Sequence, residues 1–473
     1  HRHTVLAALI GAACSVAVSA SSHRSMLRAK LGPRTRYLID DMEASDLKTS
    51  LRTCLDDKTM MYVAHDFSIG HRGAAMMFPE HTEESYIAAM AMGAGIVECD
   101  VAVTKDGELV CRHDQCDLHT STNILVTDLK SKCSTPFTAA TSNTSVLVKC
   151  CTSDLTLAEF KTLKGKMDGA NSKATTAAAY QDGTSKTRTD MYAAGSHGKL
   201  LTHKESIALI QKWGRKATPE LKTYTKETGM LEYDAVRAKV VKEYKDANFP
   251  AENVWLQSFN VADIKWWITN EATFGAQAVY LDDAYCDGSA STADKNTASG
   301  YSDAIGCKNA GLGTADEYSP MKDDFKLFKD NKINYVAPPM QMLVAVQNGK
   351  YVPSDYAKAA KAAGVKIITW TLERSGPLGG GGGWYYGTSL SSTNNDGDMF
   401  ELLHVLHKDV GVVGVFSDWP ATTTFYANCI INKTVCEGDI NLFSSSARAT
   451  PAIVATMLSS ILAAMLAHVL PRY

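Results

Sequence analysis

The sequence predicts an α/β chain closed as a single eight-stranded parallel barrel, and three observations point there. Short apolar and β-branched runs alternate with helix-forming stretches, the pattern of parallel strands joined by crossover helices. Those runs number eight, which is the count that closes a barrel. The chain has 473 residues. Setting aside the ends and two long insertions leaves about 290 of them, close to the size of one such barrel.

The expected strands are Phe67 to His71, Ile96 to Val103, Ala217 to Lys222, Val254 to Phe259, Ala278 to Leu281, Tyr335 to Ala337, Val365 to Trp370 and Val412 to Ser417. Between them Glu83 to Met92, Lys204 to Trp213, Tyr233 to Tyr244, Pro353 to Ala363 and Met399 to Lys408 have helix-forming composition, and Gly364 sits where a terminating glycine belongs. Residues 114–200 are too long for a plain connection, carry Cys116, Cys133, Cys150 and Cys151, and read as an inserted subdomain after the second strand. Residues 284–332 form a second enlarged connection with Cys286 and Cys307. Pro377 to Gly383, ending in five glycines, reads as a loop able to act as a lid.

Composition narrows the function classes. Lys and Arg total 48 against 51 acidic residues, a formal charge of −3, which excludes a strongly basic nucleic-acid binder. Twelve cysteines point to an oxidising compartment. Residues 1–20 follow the order of a secretory signal, with a basic start, an apolar run from Val5 to Val18 and small residues to Ala20. Residues 447–473 form an apolar tail after Ser444-Ser445-Ser446, which fits a glycolipid attachment signal or a single-pass helix. Sequons at Asn143 and Asn432 agree with secretion. The chain is therefore expected to be secreted or held at the cell surface, with membrane attachment through its C-terminal signal.

The densest polar cluster lies in residues 69–114. Glu98 and Asp100 are two apart on a strand, so both carboxylates face one side. Such a pair repels unless a cation or a proton lies between the two groups, and oxygen-only ligation suits Mg²⁺ or Ca²⁺. Glu220 and Lys222 repeat the spacing in TPELK and bring a third carboxylate beside a lysine. His71-Arg72 and His113-Asp114 stand at strand ends. Arginine grips phosphate through paired donors, and two imidazoles can serve as base and acid on opposite sides of a scissile bond. The combination favours phosphodiester cleavage.

The sequence resembles the glycerophosphodiester phosphodiesterases in HRG (71–73), PEHT (79–82), ECDVAVTKDGELV (98–110), HD (113–114), PELK (219–222), QSF (257–259), TWT (369–371) and SDWP (417–420). The resemblance implies a TIM-type barrel over residues 60–430 with a small insertion after strand two. It also implies hydrolysis of glycerophosphodiesters to an alcohol and glycerol 3-phosphate with a divalent ion. By position, His71 and His113 are the expected acid/base pair and Glu98, Asp100 and Glu220 the metal ligands. Arg72 and Lys222 are expected to stabilise phosphate charge. Glu80 ties the first loop to the barrel or contacts glycerol, unless it is only a helix-start carboxylate near Thr82. Trp370 packs against glycerol or the leaving alcohol, or else sits in the core. Gln257 and Ser258 are weaker candidates, Asp418 is expected to cap the last turn, and His81 to begin a helix leading away from the mouth. Two other readings stay open, a related barrel phospholipase D acting on lysophospholipid or sphingomyelin and an inactive surface-organising barrel.

Strand alternation places Cys99 toward the helix layer, so it is expected to be the free thiol. Cys286 with Cys307 and Cys429 with Cys436 are the expected near-neighbour disulfides.

Overall fold

The computed structural model describes residues 28–184, 188, 198–224, 230–282, 325–380 and 383–432. The terminal signals, the Cys286–Cys307 pairing and most of the second insertion lie outside these residues. No helix among the described residues is long and apolar enough to cross a membrane.

Eight parallel strands form the centre: β1 (His65–Gly70), β2 (Ala94–Val103), β3 (Lys216–Leu221), β4 (Gln257–Ser258), β5 (Val279–Leu281), β6 (Tyr335–Ala337), β7 (Lys366–Leu372) and β8 (Gly414–Ser417). Each pairs with the next in sequence, and β8 pairs with β1, so the sheet closes on itself as a TIM barrel. The expected fourth strand shrinks to two residues because Val254 meets β3 only in an isolated bridge to Ala217. Inward-facing Ile69, Ile96, Val279, Leu281, Ala337, Ile368 and Phe416 fill the barrel as one buried cluster. The larger of these side chains, Ala337 excepted, contribute about 1.5–3 kcal/mol each on burial.

The helices follow their local signals. The Thr82 hydroxyl caps the helix Glu83–Ala91 by accepting from Ser85 N, and Thr202 with Glu205 forms a capping box for His203–Lys212. Ser354 caps Asp355–Ala362, and Gly364 ends that turn at φ +69°, as the sequence suggests.

The insertion leaves from a hairpin in which Leu109–Cys111 pairs antiparallel with β2. Leu118, Ile124, Leu125, Leu155, Phe160 and Leu163 gather there round a core of their own, and Cys116–Cys151 and Cys133–Cys150 staple it.

Two cysteine expectations are overturned. Cys99 does face the outer layer, but the hairpin register carries Cys111 to the same face and the two form a disulfide. Cys429 pairs with Cys54, not Cys436. Cys54 belongs to a pair of helices, Arg34–Asp41 and Asp46–Asp56, that sequence periodicity does not single out. Their Leu38, Ile39, Met42 and Leu51 share a buried cluster with Phe400, Leu403 and Phe425 of the barrel's outer layer.

The Cys54–Cys429 bridge spans 375 residues of sequence. Cys54→Ser is expected to lower stability by about 2–5 kcal/mol, seen as an earlier denaturant midpoint in non-reducing buffer. An unchanged midpoint would show that the bridge adds nothing to the packing of the two helices.

Candidate active site

The site is built at the carboxyl ends of the strands, where a barrel of this type presents its loops. In β2 and β3 the parallel register sets Asp100 directly beside Glu220, and Glu98 lies one pleat back on the same face. All three are buried, and ligand oxygens of the three lie within 4.8 Å of one another.

The HRG turn wraps this group. His71 N donates to Ser417 O at 3.1 Å, which carries the chain off β1 toward the mouth. Arg72 then adopts a left-handed φ of +56°, and its amide donates to Glu98 Oε2 at 2.9 Å. Gly73 follows at φ +93°, where an added Cβ would lie 2.4 Å from Ser85 Oγ, so only glycine fits. The Arg72 guanidinium holds Glu80 at 2.9 Å and approaches Asp100 at 3.6 Å. The Arg72–Glu80 contact braces the first loop internally; Glu80 O also accepts from Arg112 Nη2 at 2.8 Å, its carboxylate meets Arg374 at 3.5 Å, and it faces the cavity.

Each carboxylate has its own donor. Lys222 Nζ meets Glu220 Oε1 at 2.6 Å, and Gln257 Nε2 donates to Glu98 Oε1 at 2.8 Å. His81 corrects the sequence reading, because it points into the site. Its ring is fully buried, accepts from Tyr86 at Nδ1 (3.0 Å) and donates from Nε2 to Asp100 Oδ2 at 2.9 Å. The second oxygen, Asp100 Oδ1, is buried without a hydrogen bond.

Charge follows from this packing. Burial and the neighbouring Asp100 and Glu220 push the Glu98 carboxyl well above its usual range. Burial also pushes Glu220 up to about 8, with Lys222 opposing and Asp100 adding. For Asp100 burial is outweighed by His81, Lys222 and Arg72, which hold it well below the usual range. A buried oxygen-only triad that repels itself, with one oxygen unpartnered, fits a divalent cation.

Asp418 is the second correction. It does not cap the last turn: His71 Nδ1 donates to its Oδ1 at 2.5 Å, leaving Nε2 turned toward Glu98 at 3.9 Å. Burial lowers His71 to about 4, helped by Arg72 and Arg374 and opposed by Asp418. His113 is lowered well below its usual value by burial, Arg72 and Lys222.

His71, Arg72, Glu80, Glu98, His113, Glu220, Lys222 and Trp370 line one cavity of about 570 Å³. Asp100 stands behind that lining. Ser258 lies outside it, donating instead to Asp263 at 2.7 Å in the helix Val261–Asn270. Trp370 belongs to both core and cavity. Half-buried, it packs on the inner barrel cluster and donates from Nε1 to Ala337 O at 2.7 Å. It also lines the cavity and stacks on Trp384 with ring centroids 5.7 Å apart, Tyr385 packing edge-on to both.

Sequence reasoning missed Arg374, Trp384 and Tyr385, which follow β7, and Asp168 from the insertion, all of which line the cavity. Arg374 pairs with Asp418 at 2.9 Å, Asp168 at 3.3 Å and Glu80 at 3.5 Å. The one sequence signal for it was its place two residues past a barrel strand.

A protein of Arthroderma benhamiae named an extracellular protein is 38% identical to this chain over 270 residues, covering 56% of this chain and 99% of that protein. The probable glycerophosphodiester phosphodiesterase 1 of Mycobacterium tuberculosis is 53% identical over 51 residues, 11% of this chain and 19% of that protein. Among solved structures, a putative glycerophosphoryl diester phosphodiesterase of Silicibacter pomeroyi aligns at 15% identity with a TM-score of 0.47, covering 78% of this chain and 95% of that chain. The model of the glycerophosphoryl diester phosphodiesterase family matches residues 71–422, which takes in every barrel strand end that supplies a cavity residue. The chain belongs to the glycerophosphoryl diester phosphodiesterase family, and it is a phosphodiesterase.

Proposed function

We propose that this protein hydrolyses glycerophosphodiesters to an alcohol and glycerol 3-phosphate, with a small-molecule diester as its substrate. The observation that carries the reading is the self-repelling triad of Glu98, Asp100 and Glu220 opening into the same cavity as His71, His113, Arg72 and Lys222.

The three carboxylates would hold a divalent cation, Ca²⁺ or Mg²⁺, which when bound supplies Lewis-acid polarisation of a phosphoryl oxygen. Arg72 and Lys222, both kept charged by their carboxylate neighbours, bind the phosphate and offset the charge that develops on it. His71 and His113 are the acid/base pair. Asp418 fixes the tautomer of His71 by accepting a hydrogen bond from its Nδ1–H, so that the proton exchanged with the reacting oxygens is handled at Nε2. His81 is spent on Asp100 and takes no part in proton transfer. Trp370, Trp384 and Tyr385 form an aromatic wall against which glycerol or the leaving alcohol packs. The disulfides and the relative named an extracellular protein support secretion or a place at the cell surface, where the C-terminal tail would serve as a glycolipid anchor.

A panel of glycerophosphodiesters with and without chelator tests the reading. Glycerol 3-phosphate release that stops on chelation and returns with Ca²⁺ or Mg²⁺ is expected. Absence of release with either ion refutes it, and cyclic phosphate formed from lysophospholipid or sphingomyelin would favour the phospholipase D chemistry instead. His71→Ala is expected to lower kcat by about 10²–10⁴-fold. Asp418→Asn leaves the ring in place but lets it turn and change tautomer, and a drop in kcat of at least about tenfold with little change in KM is expected. Wild-type kcat in that variant would remove Asp418 from the mechanism.

A further inference from the structure

Two helices, Arg34–Asp41 and Asp46–Asp56, precede the stretch matched by the family model. One side chain from them reaches the back of the active site. Arg34 Nε donates to Glu373 Oε2 at 2.9 Å, its Nη2 pairs with the same oxygen, and its guanidinium lies over the Trp419 ring at 5.4 Å.

Glu373 and Trp419 are the chain neighbours of Arg374 and Asp418. Those two form an ion pair at 2.9 Å on the cavity side, and Asp418 is the residue that orients His71. Arg34 therefore touches both strand-end loops immediately behind the pair that faces the site.

The local backbone shows that the contact holds something in place. Glu373 has a left-handed φ of +79° and no exposed surface. A residue with a side chain persists in that conformation only where its surroundings hold it. The holding groups are Arg34 on one carboxylate oxygen and the Thr422 hydroxyl on the other. The turn sends Glu373 outward to Arg34 and the next residue, Arg374, inward to Asp418, Asp168 and Glu80.

We infer that Arg34 is a positioning residue for catalysis: through Glu373 and Trp419 the N-terminal helical pair holds Arg374 against Asp418, so that Arg374 is aimed at the phosphate and the Asp418–His71 pair keeps its geometry. Arg34 touches neither substrate nor metal ligands. The inference rests on the proposed phosphodiesterase reading and adds to it that Arg374, which lines the same cavity as Arg72 and Lys222, faces the bound phosphate.

A double-mutant cycle on the full chain tests it, using Arg34→Met, Arg374→Met and both together. It is read as kcat/KM for glycerophosphocholine and, independently of turnover, as inorganic phosphate affinity by titration calorimetry. The expected result is a loss of about tenfold or more in each reading for Arg34→Met. That loss should vanish when Arg374 is already methionine, and Arg34→Lys should restore part of it. Removing Arg34 leaves Glu373 buried without its charge partner, so the cycle is repeated with Arg34→Met/Glu373→Gln, which has no lone buried charge. If the Arg34 loss multiplies fully with the Arg374 loss, or if the melting temperature falls while both readings stay at wild type, the helical pair is only structural and the inference is overturned. A wild-type protein without turnover defeats the phosphodiesterase reading instead, and the phosphate cycle still decides the role of Arg34.

Discussion

The register between β2 and β3 is the constraint from which the rest of the site follows. It puts Asp100 beside Glu220, with Glu98 on the same face, all under the protein surface. Two like charges about 4–5 Å apart at an effective dielectric near 20 repel by about 3–4 kcal/mol, so a bare triad would strain the mouth of the barrel. Nearly every motif around it answers that charge. Arg72 gives its amide to Glu98 and its side chain to Glu80 near Asp100, Lys222 meets Glu220, Gln257 meets Glu98 and His81 meets Asp100. Even so burial, with Asp100 beside them, pushes Glu98 and Glu220 upward, so a bound cation would find carboxylates still short of counter-charge.

The same crowding explains why the two histidines near carboxylates do different things. His81 and His71 each donate to a buried aspartate, and both are lowered chiefly by burial. His81 uses both nitrogens on protein groups, Tyr86 and Asp100, so its ring is spent on orienting a carboxylate. His71 spends only Nδ1. Its other nitrogen has no hydrogen-bond partner of that kind among the described residues, and the residue lines the cavity. Proton exchange is therefore proposed for His71 and not for His81.

Local patterns made the barrel and the inner ring of the site legible. All eight strands were found within a few residues, because alternation of apolar runs with helical stretches is a local signal, and the motif residues sit at the strand ends where function concentrates. Spacing alone puts Glu98 with Asp100 and Glu220 with Lys222, while the family resemblance joins the three carboxylates and the β2–β3 register brings them together. Cys99 shows the limit of that logic. Its face was read correctly, but the partner comes from a hairpin whose register no single-strand argument supplies. His81 was misread for a related reason: the helix does begin there, yet a left-handed φ of +57° at His81 turns its side chain back toward β2.

Several of the hidden contacts join the two ends of the chain. Closing the barrel makes β8 the neighbour of β1, so contacts there join residues separated by most of the chain. His71 and Asp418 are 347 positions apart, Arg34 and Glu373 are 339, and the Cys54–Cys429 bridge spans 375. No periodicity or motif spacing can report such pairs, since each partner looks ordinary in its own neighbourhood. Loop closure also makes these contacts the most demanding in chain entropy, and that cost grows with the span. A disulfide, a buried ion pair and the partner of His71 Nδ1 all join the two ends of the chain, the ion pair on the loop after β7 and the His71 partner at the end of β8.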